Sequence, residues 1–115
     1  MCGLKRLCPK VIDDPKFYVT ITVKEVRGIC PIYKQGDKIF AKDFYVVADK
    51  SANICIHAFI AMGTLLSAFI HGSSAIDLGI GKEENLGYLQ CPDPGPPYTE
   101  GGTVIFEVKR EKMEQ

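Results

Sequence analysis

Apolar and polar residues alternate one for one over residues 18–24. Val19, Ile21 and Val23 fall on one side, and Thr20, Thr22 and Lys24 on the other. A period of two marks a strand with one buried face. Val26 breaks the alternation, which predicts a bulge or strand end near Glu25. Residues 28–31 read as a turn that carries Cys30, and Gly36-Asp37 reads as a second turn. A short strand follows at 38–41 and another at 44–47, with Lys42-Asp43 between them as a tight hairpin connection. Further on, 88–90 and 103–109 have strand character, and Val104, Phe106 and Val108 share one face. Lys109, Arg110, Glu111 and Lys112 read as a mixed, solvated end.

Between these strands lies an apolar run over 54–70, whose spacing predicts one helix of about four to five turns. Cys55, Phe59, Met62, Leu66 and Phe69 follow one face, and Ile56, Ile60, Gly63 and Ser67 another. So wide an apolar arc predicts a helix covered by a sheet on one side and by a partner subunit on the other, hence a homodimer. A membrane span is disfavoured: the run is at the short limit, contains His57, Thr64 and Ser67, and lacks flanking charge bias. The expected class is α+β, with a small, mainly antiparallel sheet packed on one long apolar helix. Residues 1–16, with Pro9, Pro15 and Asp13-Asp14, read as an irregular leader. Residues 17–110 read as a single α+β domain, and 111–115 as a charged tail.

Composition narrows the function classes. A chain of 115 residues is one domain's worth, and its 46% hydrophobic content is ordinary. Fourteen basic residues balance fourteen acidic ones, so a dedicated nucleic-acid binder is not expected. Five cysteines, an odd number, do not suit a fully paired disulfide framework. No 7–15-residue apolar core follows Lys5, Arg6 and Lys10, so no signal peptide is read and a reducing cytoplasm is expected. Cys2 and Cys8, in the leader, read as exposed thiols.

The candidate chemistry lies in Cys30, Cys55, His57 and Cys91, each next to a turn or an element boundary. Thiolates and imidazole are good donors to zinc, and thiolates to iron–sulfur clusters, so these four make a candidate metal set. The chain has no Cys-x-x-Cys knuckle, and assembly would depend on the tertiary fold. In regular helix Cys55 and His57 would point about 200° apart. Joint ligation therefore requires the helix to begin at or just after His57. The competing reading of the same cysteines is core packing. A third is a thiol nucleophile assisted by a neighbouring histidine. Residues 92–102 form a loop rich in proline and glycine beside Cys91. It presents Asp93, Tyr98, Thr99 and Glu100 at low entropic cost, with Asp93, Tyr98 and Glu100 as the candidate cofactor contacts, as one wall of a cofactor or small-molecule pocket or as a protein-docking surface. Gly79-Ile80-Gly81-Lys82 lacks the spacing of a phosphate loop.

Three segments together carry a resemblance: 26–37 around Ile29-Cys30-Pro31-Ile32-Tyr33-Lys34-Gln35-Gly36-Asp37, then Cys55-Ile56-His57-Ala58, and 90–103 around Gln90-Cys91-Pro92-Asp93-Pro94-Gly95. They resemble a family of small uncharacterised prokaryotic proteins, common in anaerobes and archaea, over roughly residues 18–110. The resemblance implies a stand-alone cytoplasmic domain with cysteines at positions 30, 55 and 91. It transfers no reaction. The leading expectation is a small protein that binds zinc or an iron–sulfur cluster through clustered cysteines. The alternative is a metal-free oligomeric binding or subunit-like module with structural cysteines, and a metal-free thiol enzyme is a third class.

Overall fold

The computed structural model describes residues 17–113. The leader expected over 1–16, with Cys2 and Cys8, lies outside them, as do the last two positions of the expected tail. The elements in chain order are β1 (Phe17–Arg27), β2 (Lys38–Lys42), β3 (Tyr45–Val46), a 3₁₀ turn (Ala48–Lys50), α1 (Ile56–Ile70), β4 (Leu86–Gln90) and β5 (Thr103–Lys112). The strands form one sheet in the order β3-β2-β1-β5-β4, antiparallel at every pairing. β2 and β3 are joined at Asp43-Phe44, where Asp43 takes φ 55. Aspartate is among the few residues other than glycine that visit this left-handed region routinely.

Register explains the sequence pattern. Val23 faces Phe106, but Glu25 faces Ile105 and Val26 faces Val104, so the ladder bulges between Val23 and Glu25. The bulge returns Val26 to the core side, where it packs on the buried cluster. Val19, Ile21 and Val23 of β1, Ile39 of β2, Leu89 of β4 and Val104, Phe106 and Val108 of β5 all point to this side and are buried. Ala58, Met62 and Phe69 of α1 cover them. The opposite side carries Tyr18, Thr20 and Thr22, cross-strand from Lys42, Phe40 and Lys38 on β2 and from Glu111, Lys109 and Glu107 on β5. One packed face and one polar face is the usual division of an antiparallel sheet.

The helix differs from expectation. The fold is a five-stranded antiparallel sheet with one short helix, and the long apolar helix expected over 54–70 is not formed. α1 has 15 residues, with Cys55 as its N-cap in extended conformation, φ −78 and ψ 120. The Tyr33 hydroxyl accepts the Cys55 N–H at 2.9 Å, a tertiary contact that fixes the helix entry and that apolar periodicity does not encode. Nor is the apolar arc fully covered: Ile56 and Ile60 are 69% and 76% exposed.

At the other end of α1 stands Arg110, on the inward side of β5 two residues beyond Val108 and only 5% exposed. Its Nη1 donates to the carbonyls of Phe69 (2.6 Å) and Ser73 (2.7 Å). Nη2 donates to Asn85 Oδ1 (2.8 Å) and to the Glu84 carbonyl (3.3 Å), and Nε also reaches Asn85 Oδ1 (3.0 Å). The guanidinium carbon lies 4.4 Å from the Phe17 ring centre and 4.5 Å from that of Phe69. A cation here adds a second donor to the Phe69 carbonyl, which the Gly72 N–H also reaches at 3.2 Å, and sits at the negative end of the helix dipole. Burial pushes the Arg110 pKa down, with the charge of Glu84 acting the other way. The residue is not part of a solvated end. Arg110 is a structural cation, and β5 continues two residues past it to Lys112.

Candidate functional site

Three stretches of chain meet at the N-terminal end of α1: the loop after β1, the helix entry and the loop after β4. They enclose a cleft of about 500 Å³ whose lining includes Cys30, Tyr33, Cys55, His57, Cys91 and Asp93. The four residues singled out as a metal set thus do line one cleft. They do not form a metal centre. Among the described residues, no group of three or more His, Cys, Asp or Glu side chains is placed to hold a metal ion. The zinc and iron–sulfur expectation, with Cys30, Cys55, His57 and Cys91 as ligands, is therefore corrected.

The hydrogen bonds and the helix entry supply the physical reason. Cys91 is buried; its Sγ accepts the Val104 N–H at 3.3 Å and faces the carbonyls of Gly102 and Asp93 at 3.8 and 4.0 Å. Cys30 Sγ accepts the Tyr33 N–H at 3.4 Å, closing the turn that follows β1. Cys55 caps α1, and His57 lies inside the first turn, so the helix begins too early for both to turn toward one point. All three cysteines are free thiols.

Tyr33 organises this end of the molecule. It is 4% exposed, and its ring stands edge-on to Phe106, with centres 5.5 Å apart. Burial pushes the phenol pKa up, opposed by the hydrogen bond from Cys55. The far wall is the 92–102 loop, built around Asp93. Asp93 Oδ1 accepts the Gly95 N–H at 2.8 Å and the Thr99 hydroxyl, and the Asp93 carbonyl accepts the Thr103 hydroxyl at 2.8 Å. The Thr99 hydroxyl, then the Gly95 N–H, hold the Asp93 carboxyl below the usual carboxylate range.

Gly102 lets the loop close against the turn after β1, and Gly101 lets the loop fold onto its own Asp93. A Cβ on Gly102 would stand 2.8 Å from backbone atoms of Ile29, and one on Gly101 would meet the Asp93 carboxylate. Of the three residues expected to present themselves to a cofactor, only Asp93 lines the cleft. Tyr98 is 81% exposed and Glu100 is also exposed, and neither lines it.

Sequence reasoning passed over Tyr33 and the Gly101-Gly102 close approach; Thr99, expected on the loop as a presented group, lines the cleft and bonds the Asp93 carboxylate. The paired glycines after a proline-rich stretch were the available signal for the close approach; nothing in the local pattern marked Tyr33. Among the described residues, no helix is long and apolar enough to cross a membrane. Comparison of the chain with protein-family models, curated proteins and solved structures gave no match.

Proposed function

We propose that this chain is a metal-free binding module that self-associates through the N-terminal end of α1, with Cys30, Cys55 and Cys91 in structural roles. The observation that carries this reading is an apolar surface left open beside the cleft. Ile54, Ile56 and Ile60 are 41%, 69% and 76% exposed, with Ile32 at 43% in the cleft wall. Exposed apolar patches of this kind mark interaction sites. A second copy seated there covers the side of α1 that the sheet leaves open. The resemblance to small prokaryotic proteins belongs to the same proposal, as a stand-alone domain completed by its own copy.

Sedimentation velocity across the micromolar range tests it. The expected result is a dimer for the wild type and a monomer for Ile56→Glu/Ile60→Glu, with unchanged thermal unfolding of the monomer because both side chains already face water. A wild-type monomer at all concentrations would overturn the proposal.

A further inference from the structure

We propose that a second cleft, between α1 and the β2–β3 hairpin, binds a small uncharged aromatic molecule carrying one hydroxyl group. This cleft, of about 320 Å³, shares no lining residue with the cysteine-lined one. That volume lies at the small end of ligand sites, which start near ~300 Å³. Its floor is Val19 and Ile21, each 1% exposed, and Phe59, Leu66 and Ile70 of α1 form one wall. An anionic body seated on such a floor, with the Asp43 carboxylate in the lining, would lose its hydration without compensation.

The polar groups of the lining are Asp43 and Tyr45 of the hairpin, Ser67 in the last turn of α1 and His71 at its C-cap. The Phe44 ring lies 5.2 Å from the His71 ring at an interplanar angle of 42°. The tilted Phe44–His71 ring pair and the aliphatic floor suit a flat aromatic body whose single hydroxyl meets the imidazole.

Gly63 supplies the second observation. It lies inside α1 and lines the cleft, and a Cβ built on it meets nothing within 4 Å. Glycine weakens a helix interior relative to alanine. No close packing demands it here, and the space left over is the cleft itself. A side chain at position 63 would occupy the volume assigned to the ligand.

The probe is 4-ethylphenol, titrated into the full chain and followed by amide NMR shifts, beside 4-ethylbenzoate as its charged counterpart. The expected result is saturable binding of the phenol, with shifts concentrated at residues 43–46, 63, 67 and 71. Binding should weaken at least about tenfold for the benzoate, and at least about tenfold for Gly63→Leu. Gly63→Ala, which adds only a Cβ into open space, should keep the fold and lose part of the affinity, and it serves if the leucine variant fails to fold. No saturation at millimolar phenol would overturn the assignment. So would undiminished binding in both variants, shifts centred on the cysteine-lined cleft, or a dimer that Gly63→Leu splits. None of these outcomes depends on association through Ile56 and Ile60, so the two proposals fail separately.

Discussion

The two ends of α1 solve one problem by opposite means. At the C-terminal end a single buried cation gathers the carbonyls of Phe69, Ser73 and Glu84 and the amide of Asn85 into one closed set. At the N-terminal end the bonding is spread over several separate contacts: a phenol oxygen under Cys55 N–H, sulfur atoms under backbone amides, and a carboxylate that ties its own loop. The first arrangement leaves no group free. The second leaves a cleft with apolar residues at its rim. Concentrated bonding makes a structural plug that depends on one residue, and distributed bonding spreads that dependence over several.

Breaking the plug should have the largest effect. Arg110→Met keeps an apolar stem between the two phenyl rings but gives up the charged hydrogen bonds to Phe69, Ser73, Glu84 and Asn85, and about 2–3 kcal/mol of stability should be lost. Arg110→Lys should recover only a small part, since an ammonium cannot span the same fork of acceptors. Urea-unfolding midpoints check both; a Met variant as stable as wild type would remove the contrast between the two ends.

At the distributed end, single losses should be smaller. Gly102→Ala drives a methyl against the Ile29 backbone and should cost about 1–3 kcal/mol in the same assay. Tyr33→Phe, which removes the acceptor for Cys55 N–H while keeping the ring on Phe106, should cost about 1 kcal/mol. Cys55→Ala should stay within about 0.5 kcal/mol, because the Cys55 side chain makes no capping hydrogen bond.

The smallest effect should be on the acid limb of stability. The folded Asp93 pKa is depressed, so its contribution is present above the unfolded value of about 3.9 and is lost as pH falls through the folded value. Thr99→Ala should therefore flatten the decline of melting temperature below about pH 4 while leaving its slope near neutrality unchanged. An acid limb that does not change would show that the Thr99 hydroxyl is not what holds the Asp93 carboxyl down.

Much of the sheet was legible because one face of each central strand is buried. The alternation at Val19, Ile21 and Val23, the break at Val26 and the shared face of Val104, Phe106 and Val108 all correspond to core geometry. The same period of two, carried one step further, puts Arg110 on that face. Its charge, and its neighbours Lys109, Glu111 and Lys112, hid it. The helix start was misplaced because Ile54 and Cys55 are as apolar as the helix itself, and a tyrosine 22 positions earlier decides where it begins. Residue types and turn positions were enough to group Cys30, Cys55, His57 and Cys91 at one cleft. They do not say what each sulfur bonds. That depends on which backbone amides lie beside it once Tyr33 and the 92–102 loop are in place.

The pairing of β1 with β5 at the centre of the sheet also governs how the molecule comes into being. The two strands lie at opposite ends of the described chain, and their ladder runs from Phe17 opposite Lys112 to Arg27 opposite Thr103. Closing so long a loop is slow and yields nothing until the contacts form. During synthesis, a chain that has not yet delivered Thr103–Lys112 has β1 with a neighbour on one side only and a core without Val104, Phe106 and Val108. The unpaired edge of β1 is then a template for a strand from another chain. A nascent or truncated form is thus exposed to strand exchange at the place where the finished protein is most tightly joined.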